Sequence, residues 1–262
     1  MRTVAYCGDY TALTTTHWGA KIYVDTRDTS LAPHIMMEGN WEPWVSNAIG
    51  TVLMKNPGAT FIDVGANVGW YTLLACVNKA SKVYAFEPNP RMVELLRKTI
   101  AVNGLTERVL LTDAACGAAY GIGRLDADPE EQGGAHLVDR ERTEPFLTNE
   151  YECSIAALDD VVLGGLTAAV SILGTIVMKI DVEGFEPEVL AGAPELLKLR
   201  PFIFLEHNPS EKSREMLARL ADLGYRLRHC QTSGHPSVPL TVEQAFALPT
   251  TEMIFCEPGK TE

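Results

Sequence analysis

From residue 60 onward the chain alternates short apolar runs with longer stretches in which apolar residues recur every three or four positions. Thr60–Val64, Lys82–Phe86, Arg108–Thr112, Thr175–Ile180 and Phe202–Leu205 predict strands. Val68–Val77, Pro90–Val102, Pro187–Leu199 and Ser210–Leu223 predict helices. In Pro90–Val102 the residues Val93, Leu96 and Ile100 share one face, and Asn103-Gly104 supplies the stop. In Ser210–Leu223 the stripe is Met216, Leu220 and Leu223, and Gly224 ends it. Tyr225–Cys230 and Met253–Cys256 predict closing strands. Strands alternating with helices predict an α/β fold, with a parallel sheet covered on both faces. Such sheets bind ligands just outside the carboxyl ends of their strands.

Two regions break the alternation. Residues 1–58 carry short mixed stretches and the turn Gly39-Asn40-Trp41-Glu42-Pro43, and are expected to pack as an extension on a 59–262 domain. Residues 113–174 separate the third and fourth strands and include DADPEEQGGAHLVDRERTEP. That insert is expected to be a mobile surface loop, able to serve as a lid or substrate wall.

Composition narrows the function. The 262 residues carry a net charge of −12, so a broad basic surface for nucleic acid is not expected. The N-terminus has no apolar signal core, and the longest apolar run, Leu166–Ile180, is too short and mixed to span a membrane. A cytoplasmic protein is expected. The six cysteines, at 7, 76, 116, 153, 230 and 256, form no CxxC pair and read as free thiols in a reducing compartment.

The chemistry begins at FIDVGANVGW, residues 61–70. A glycine just past a strand lets a ligand approach the backbone, and the following helix points free N–H groups at it. Glu87 lies 24 residues after Asp63, at the end of the second strand, where a carboxylate can accept from a ribose diol. The turn lacks the GK[ST] of a phosphate loop and the G-x-G-x-x-G of a dinucleotide site. A nucleoside with a charged amino-acid tail is left, and S-adenosylmethionine fits, with Asp63 placed to hold its ammonium directly or through water.

FIDVGANVGWYTL, VYAFEPNPRMVELLRKTIAVNG and VMKIDVEGFEPEVLAGAPELLKLRPFIFLEHN, in that order, resemble the FkbM family of S-adenosylmethionine-dependent methyltransferases. GAKIYVDTRD and the Gly-x-Trp-Glu-Pro turn extend the resemblance to roughly residues 18–256. It implies a class I methyltransferase fold: a Rossmann-like, doubly wound sheet of seven strands, the last antiparallel. It implies that Asp63, Gly65, Asn67 and Glu87 line the cofactor site; their neighbours Ala66 and Pro88 are further cofactor-binding candidates. Glu42 is a cofactor or acceptor candidate because the resemblance brings its turn close. Asp113, just past the third strand, is placed to accept from the adenine amino group.

Methyl transfer to an alcohol needs alignment and a base. Lys179-Ile-Asp181-Val-Glu183 ends the fourth strand and Glu206-His207-Asn208 the fifth, and neighbouring strands bring them together. In one mechanism His207 or a carboxylate among Asp181, Glu183 and Glu206 takes the proton. In the other, Asp181, Glu206 and His207 or Asn208 hold Mg²⁺, which acidifies the acceptor hydroxyl. Lys179, Asn208, His136 in the insert and Trp41 are substrate candidates. The expected function is O-methylation of a hydroxyl on a saccharide or glycan precursor. A hydroxyl or carboxylate of a peptide or polyketide natural product is the alternative, and a non-catalytic nucleoside-binding module the rival of another class. No nucleic-acid or membrane partner is expected, and a homodimer is a candidate assembly.

Overall fold

The computed structural model describes residues 3–130, 134–138, 149–164, 174–230 and 236–259. His235 and the insert pieces 131–133, 139–148 and 165–173 lie outside these residues. The N-terminal segment forms strands Ala5–Tyr6 (β1), Thr11–Thr15 (β2) and Lys21–Asp25 (β3), then helices Leu31–Glu38 (α1) and Pro43–Lys55 (α2). Next come Thr60–Val64 (β4), Trp70–Val77 (α3), Lys82–Phe86 (β5), Pro90–Val102 (α4) and Val109–Thr112 (β6). The insert contributes Ala115–Cys116 (β7), Gly121–Asp126 (β8), His136–Val138 (β9), Glu150–Ala156 (β10) and Leu158–Val162 (α5). The rest is Ile176–Ile180 (β11), Glu186–Ala191 (α6), Pro194–Lys198 (α7), Phe202–His207 (β12), Glu211–Asp222 (α8), Tyr225–Cys230 (β13), Pro236–Leu240 (β14), Val242–Phe246 (α9) and Glu252–Pro258 (β15).

Among the described residues the central sheet has eight strands, in the order β14-β13-β15-β12-β11-β4-β5-β6. That is one more than the seven expected, because β14 adds to the β13 edge. From β12 to β6 the pairs are parallel, and β15 runs antiparallel to both neighbours. Alternating side chains serve two cores. Phe61, Val83, Val177 and Phe204 join Ile49, Leu73 and Leu95 of α2, α3 and α4 on one face. Ile62, Val64, Met178, Ile180 and Leu205 join Leu158, Val189, Leu196 and Leu217 of α5 to α8 on the other. Burial on both faces is why these strands read as continuous apolar runs.

The expected helix Pro187–Leu199 is two short helices, α6 and α7. Pro194 cannot donate into a continuing helix, so it opens a new one at its first turn. Gly192, at the break, sits where a Cβ would meet the Gly117 carbonyl oxygen at 2.1 Å.

The N-terminal sheet β1-β2-β3 docks on α4: Asn103 Oδ1 accepts from the Lys21 amide at 3.0 Å, and Arg91 Nε donates to buried Asp25 at 2.7 Å. The insert was expected as a loop, but its described part is a four-stranded sheet, β7-β10-β8-β9, with its own small core around Leu125, Cys153 and Ile155. The six cysteines are free, and all but Cys7 are buried. No helix among the described residues is long and apolar enough to cross a membrane.

Candidate functional site

Beyond the carboxyl ends of β4, β5, β11 and β12 lies a cavity of about 660 Å³. Its first wall is the glycine turn. Gly65 has φ +79°, and a Cβ there would meet the Asp181 carbonyl oxygen at 1.9 Å, so only glycine lets β4 and β11 close at this point. The Gly65 and Ala66 amides donate to the Phe86 carbonyl at 3.1 and 3.0 Å. Asn67 turns left-handed at φ +48° and aims its amide at Glu87 Oε2, 2.7 Å away. The Asn89 amide donates to Glu87 Oε1 at 2.8 Å. Both carboxylate oxygens are thereby oriented, each with acceptor capacity left for a ribose diol. Burial pushes the Glu87 carboxyl up to about 7. Gly65, Ala66, Asn67, Glu87 and Pro88 all line the cavity, which fits a nucleoside of S-adenosylmethionine's kind.

Asp63 is not where the sequence argument put it. It shares the face of Phe61 and lies wholly buried beneath α3, where Thr72 Oγ1 donates to Oδ2 at 2.6 Å. Its Oδ1 has no hydrogen-bond partner, and the residue does not line the cavity. Asp63 supports the turn from below and is shielded from direct contact with the cavity. Burial pushes its carboxyl up to about 6 against the opposing pull of Lys179, its partner in the β4–β11 register.

Lys179 is buried yet charged. Its Nζ lies 2.9 Å from Asp181 Oδ2, donates to the Gly65 carbonyl at 3.3 Å and sits 5.0 Å from the centre of the Tyr71 ring. Tyr71 donates its hydroxyl to Glu42 Oε2 at 2.5 Å. Glu42 sits at the left-handed entry to α2, φ +38°, with burial and then Asp181 raising its carboxyl's pKa. Glu42, Tyr71 and Trp41 line the cavity. Tyr71 escaped the sequence argument because α3 reads as uniformly apolar; the signal was its place two residues past Gly69.

The second wall is acidic. One ligand oxygen from each of Asp181, Glu183 and Glu206 falls within 4.8 Å of the others. The turn bearing the first two is held by Glu186, whose Oε1 accepts from the Val182 and Gly184 amides at 3.1 Å each. Burial pushes Glu206 up to about 10, reinforced by Asp181 and Glu183, so it is protonated at neutral pH beside Asp181. Asn208 Nδ2 donates to Glu206 Oε2 at 2.8 Å, which makes it a support for the carboxyl; it does not line the cavity. Burial, then Asp181, pushes Glu183 up to about 7.

His207 faces away from the site in which it was expected. β12 continues through it, and period-two alternation sends it to the face opposite Glu206. There it packs edge-on to Phe246 and its Nε2 lies 3.1 Å from that residue's carbonyl. It lines no part of the cavity, so neither the base nor the metal-ligand role fits it. Glu183 stands where His207 was expected among three clustered groups.

Asp113 too lies away from the adenine position expected for it. It is exposed, paired with Arg97 on α4, and outside the cavity lining, because the chain turns away after β6. His136 on β9 does line the cavity, beside Leu137 and Leu125, so the insert sheet forms its outer wall. A tie joins that wall to the N-terminal segment: Thr29 donates through its amide and hydroxyl to the Glu130 carbonyl, at 2.9 and 2.8 Å. Glu252, on β15, lines the far end and lies 2.7 Å from His229 Nε2. Sequence spacing offered no signal for that pair. Among the described lining residues there are six carboxyl groups and one lysine.

A model of the methyltransferase FkbM domain matches residues 63–227, more than half of the chain. The 31-O-demethyl-FK506 methyltransferase FkbM of Streptomyces tacrolimicus is 28% identical over 200 residues, covering 64% of this chain and 73% of that protein. Solved structures with a distant likeness include methyltransferase FkbM from Methylobacillus flagellatus KT, at TM-score 0.47 and 14% identity over 76% of this chain. This chain spans only 43% of the length of that protein. Another is an S-adenosylmethionine-dependent O-methyltransferase from Thermotoga maritima, at TM-score 0.43 and 16% identity, covering 95% of this chain and 78% of that one.

Proposed function

The chain belongs to the FkbM methyltransferase family, and on that premise we propose that it is an S-adenosylmethionine-dependent O-methyltransferase acting on a hydroxyl of a saccharide or glycan precursor. The observation that carries this reading is one cavity with a nucleoside ledge at Gly65–Asn67 and Glu87 and an acidic wall at Asp181, Glu183 and Glu206. Carboxyl groups hydrogen-bond hydroxyls and repel phosphates and carboxylates. With six carboxyl groups and one lysine in the lining, a neutral polyol is favoured over an anionic or nucleic-acid acceptor.

S-adenosylmethionine, when bound, supplies an already activated methyl group. The chain's own residues align the acceptor and take its proton. Glu183 is the base, since a carboxyl titrating near 7 is matched to neutral pH. Asp181, held by Lys179, accepts from the acceptor hydroxyl and orients it. Glu206, protonated, is placed beside Asp181 to donate to it. Lys179 and the proton on Glu206 relieve part of the repulsion among the three carboxyls. In the alternative route Asp181, Glu183 and Glu206 would hold Mg²⁺, which would acidify the acceptor hydroxyl, and EDTA would then abolish turnover. The five buried free cysteines favour a reducing, cytoplasmic setting.

A second reading has an observation of its own. The Streptomyces relative is named for methylating 31-O-demethyl-FK506, which favours a natural-product hydroxyl as acceptor. One experiment separates the readings: transfer of labelled methyl from S-adenosylmethionine to a panel of methyl glycosides and macrocyclic alcohols, with S-adenosylhomocysteine calorimetry alongside. Methylated glycosides support the proposal, and methylated macrocycles alone favour the second reading. Absence of S-adenosylhomocysteine binding counts against both.

A further inference from the structure

We propose that Glu42, held in place by Tyr71, binds the α-ammonium group of S-adenosylmethionine. The inference rests on reading the cavity as a methyl-donor site, and it names the group that recognises the donor's amino-acid tail. A buried ammonium needs a carboxylate beside it. Asp63, the residue the sequence suggested, is sealed under α3 and does not reach the cavity.

The other lining carboxyls have different partners. Glu87 sits on the β5 side with two backbone amides fixing it. Asp181 is neutralised by Lys179, and Glu183 and Glu206 are grouped with Asp181 in the acidic wall, where Glu183 serves as the base. Glu252 is on β15, three strands from β4, which at about 4.8 Å per strand puts it roughly 14 Å from the glycine turn.

Glu42 is different. Tyr71, in the first turn of α3, follows the glycine turn directly and donates to Glu42 Oε2 at 2.5 Å. Lys179, which donates to the Gly65 carbonyl, sits against the same Tyr71 ring. The Glu42 carboxyl is thereby tied to the turn over which the donor lies. A carboxylate has about four acceptor positions, so the Tyr71 hydroxyl leaves room for an ammonium. The left-handed φ of +38° costs energy for a non-glycine residue, and such strain gathers at binding sites. Pro43 at the first position of α2 and the Tyr71 hydroxyl hold the residue there.

The test compares S-adenosylhomocysteine with 5′-methylthioadenosine, which shares the nucleoside and lacks the ammonium tail, by calorimetry on the full chain. Glu42→Gln is expected to weaken S-adenosylhomocysteine about 10- to 100-fold, the scale of removing one partner of a buried charge pair, and to leave methylthioadenosine within about twofold. Tyr71→Phe is expected to reproduce the pattern at about 3- to 10-fold, since one hydrogen bond to a charged group is lost. Glu42→Asp, which keeps the charge, is expected to recover part of the loss. Glu87→Ala is the contrast, weakening both ligands. Equal weakening of both ligands by Glu42→Gln and Tyr71→Phe, or no effect on either, overturns the inference. If the unaltered protein binds S-adenosylhomocysteine no better than methylthioadenosine, the tail is not recognised and the inference falls while the nucleoside site stands. If it binds neither, the donor-site reading fails and takes the inference with it.

Discussion

Lys179 Nζ lies 2.9 Å from Asp181 Oδ2, with the lysine side chain only 4% exposed. Burial disfavours its charge, but Asp181, Asp63 and Glu42 outweigh that and hold the ammonium's pKa above its ordinary value. Lys179→Met leaves those carboxyls without their cation. A stability loss of about 3 kcal/mol is expected, the low end for breaking a buried pair. Calorimetry should find the melting temperature lower by about 6–12 °C; an unchanged value would show that the pair is dispensable.

Asp181 and Glu206 should respond differently to amide substitution. Asp181→Asn strips Lys179 of its partner and the acceptor of its hydrogen-bond acceptor, and about a 100-fold loss of kcat is expected. Glu206→Gln keeps a hydrogen-bond donor in the place of a protonated carboxyl, and less than a tenfold loss is expected. Steady-state kinetics on the two variants decides. Equal losses refute a protonated Glu206.

Glu183 sets the pH profile. A base that must be ionised, with its carboxyl near 7, makes kcat/KM rise with pH and level off above about 7. Glu183→Gln should remove that inflection and lower the rate about 10²- to 10⁴-fold. A pH profile that is flat from about 5.5 to about 8, on either side of the Glu183 value of about 7, would assign the proton to another group.

Glu206 also makes stability depend on pH. Its native value of about 10 is above the ordinary 4.5, so between those values the native state keeps a proton that the unfolded chain has lost. Stability therefore falls as pH rises through that window. Glu206→Gln cannot ionise and escapes the loss. Melting curves of the ligand-free protein should show the variant gaining on the parent as pH rises from about 5 to about 9, and no gain at about pH 4. A constant difference across pH refutes it.

His207 carries the converse expectation. It is buried on the face opposite Glu206, near Phe246, and burial lowers its pKa. His207→Gln should keep kcat within about threefold, because nothing in the cavity is touched, and cost about 1–2 kcal/mol through its lost hydrogen bond and packing. A collapse of turnover in a variant that still melts cooperatively contradicts this placement.

The sequence by itself determined the alternation of strands and helices, because burial on both faces writes itself as continuous apolar runs. It also determined the glycine turn and Glu87, since both depend on backbone geometry within one strand–turn–helix unit and the next strand. DVGAN, FEPNP and KIDVEG were enough for the family. Tertiary structure decided what depends on which way a side chain faces. Glu206 and His207 are adjacent in sequence, yet the pleat sends one into the cavity and the other to α9. Asp63 looked like a ligand contact until α3 was laid over it, and Asp113 looked like one until the chain turned it toward Arg97. Tyr71 and Glu42 are 29 residues apart and meet only because α2 packs beside α3. A run of sequence records each residue's neighbours along the chain; contacts between elements arise when those elements pack, and packing assembled the acidic wall and the Glu42–Tyr71 pair.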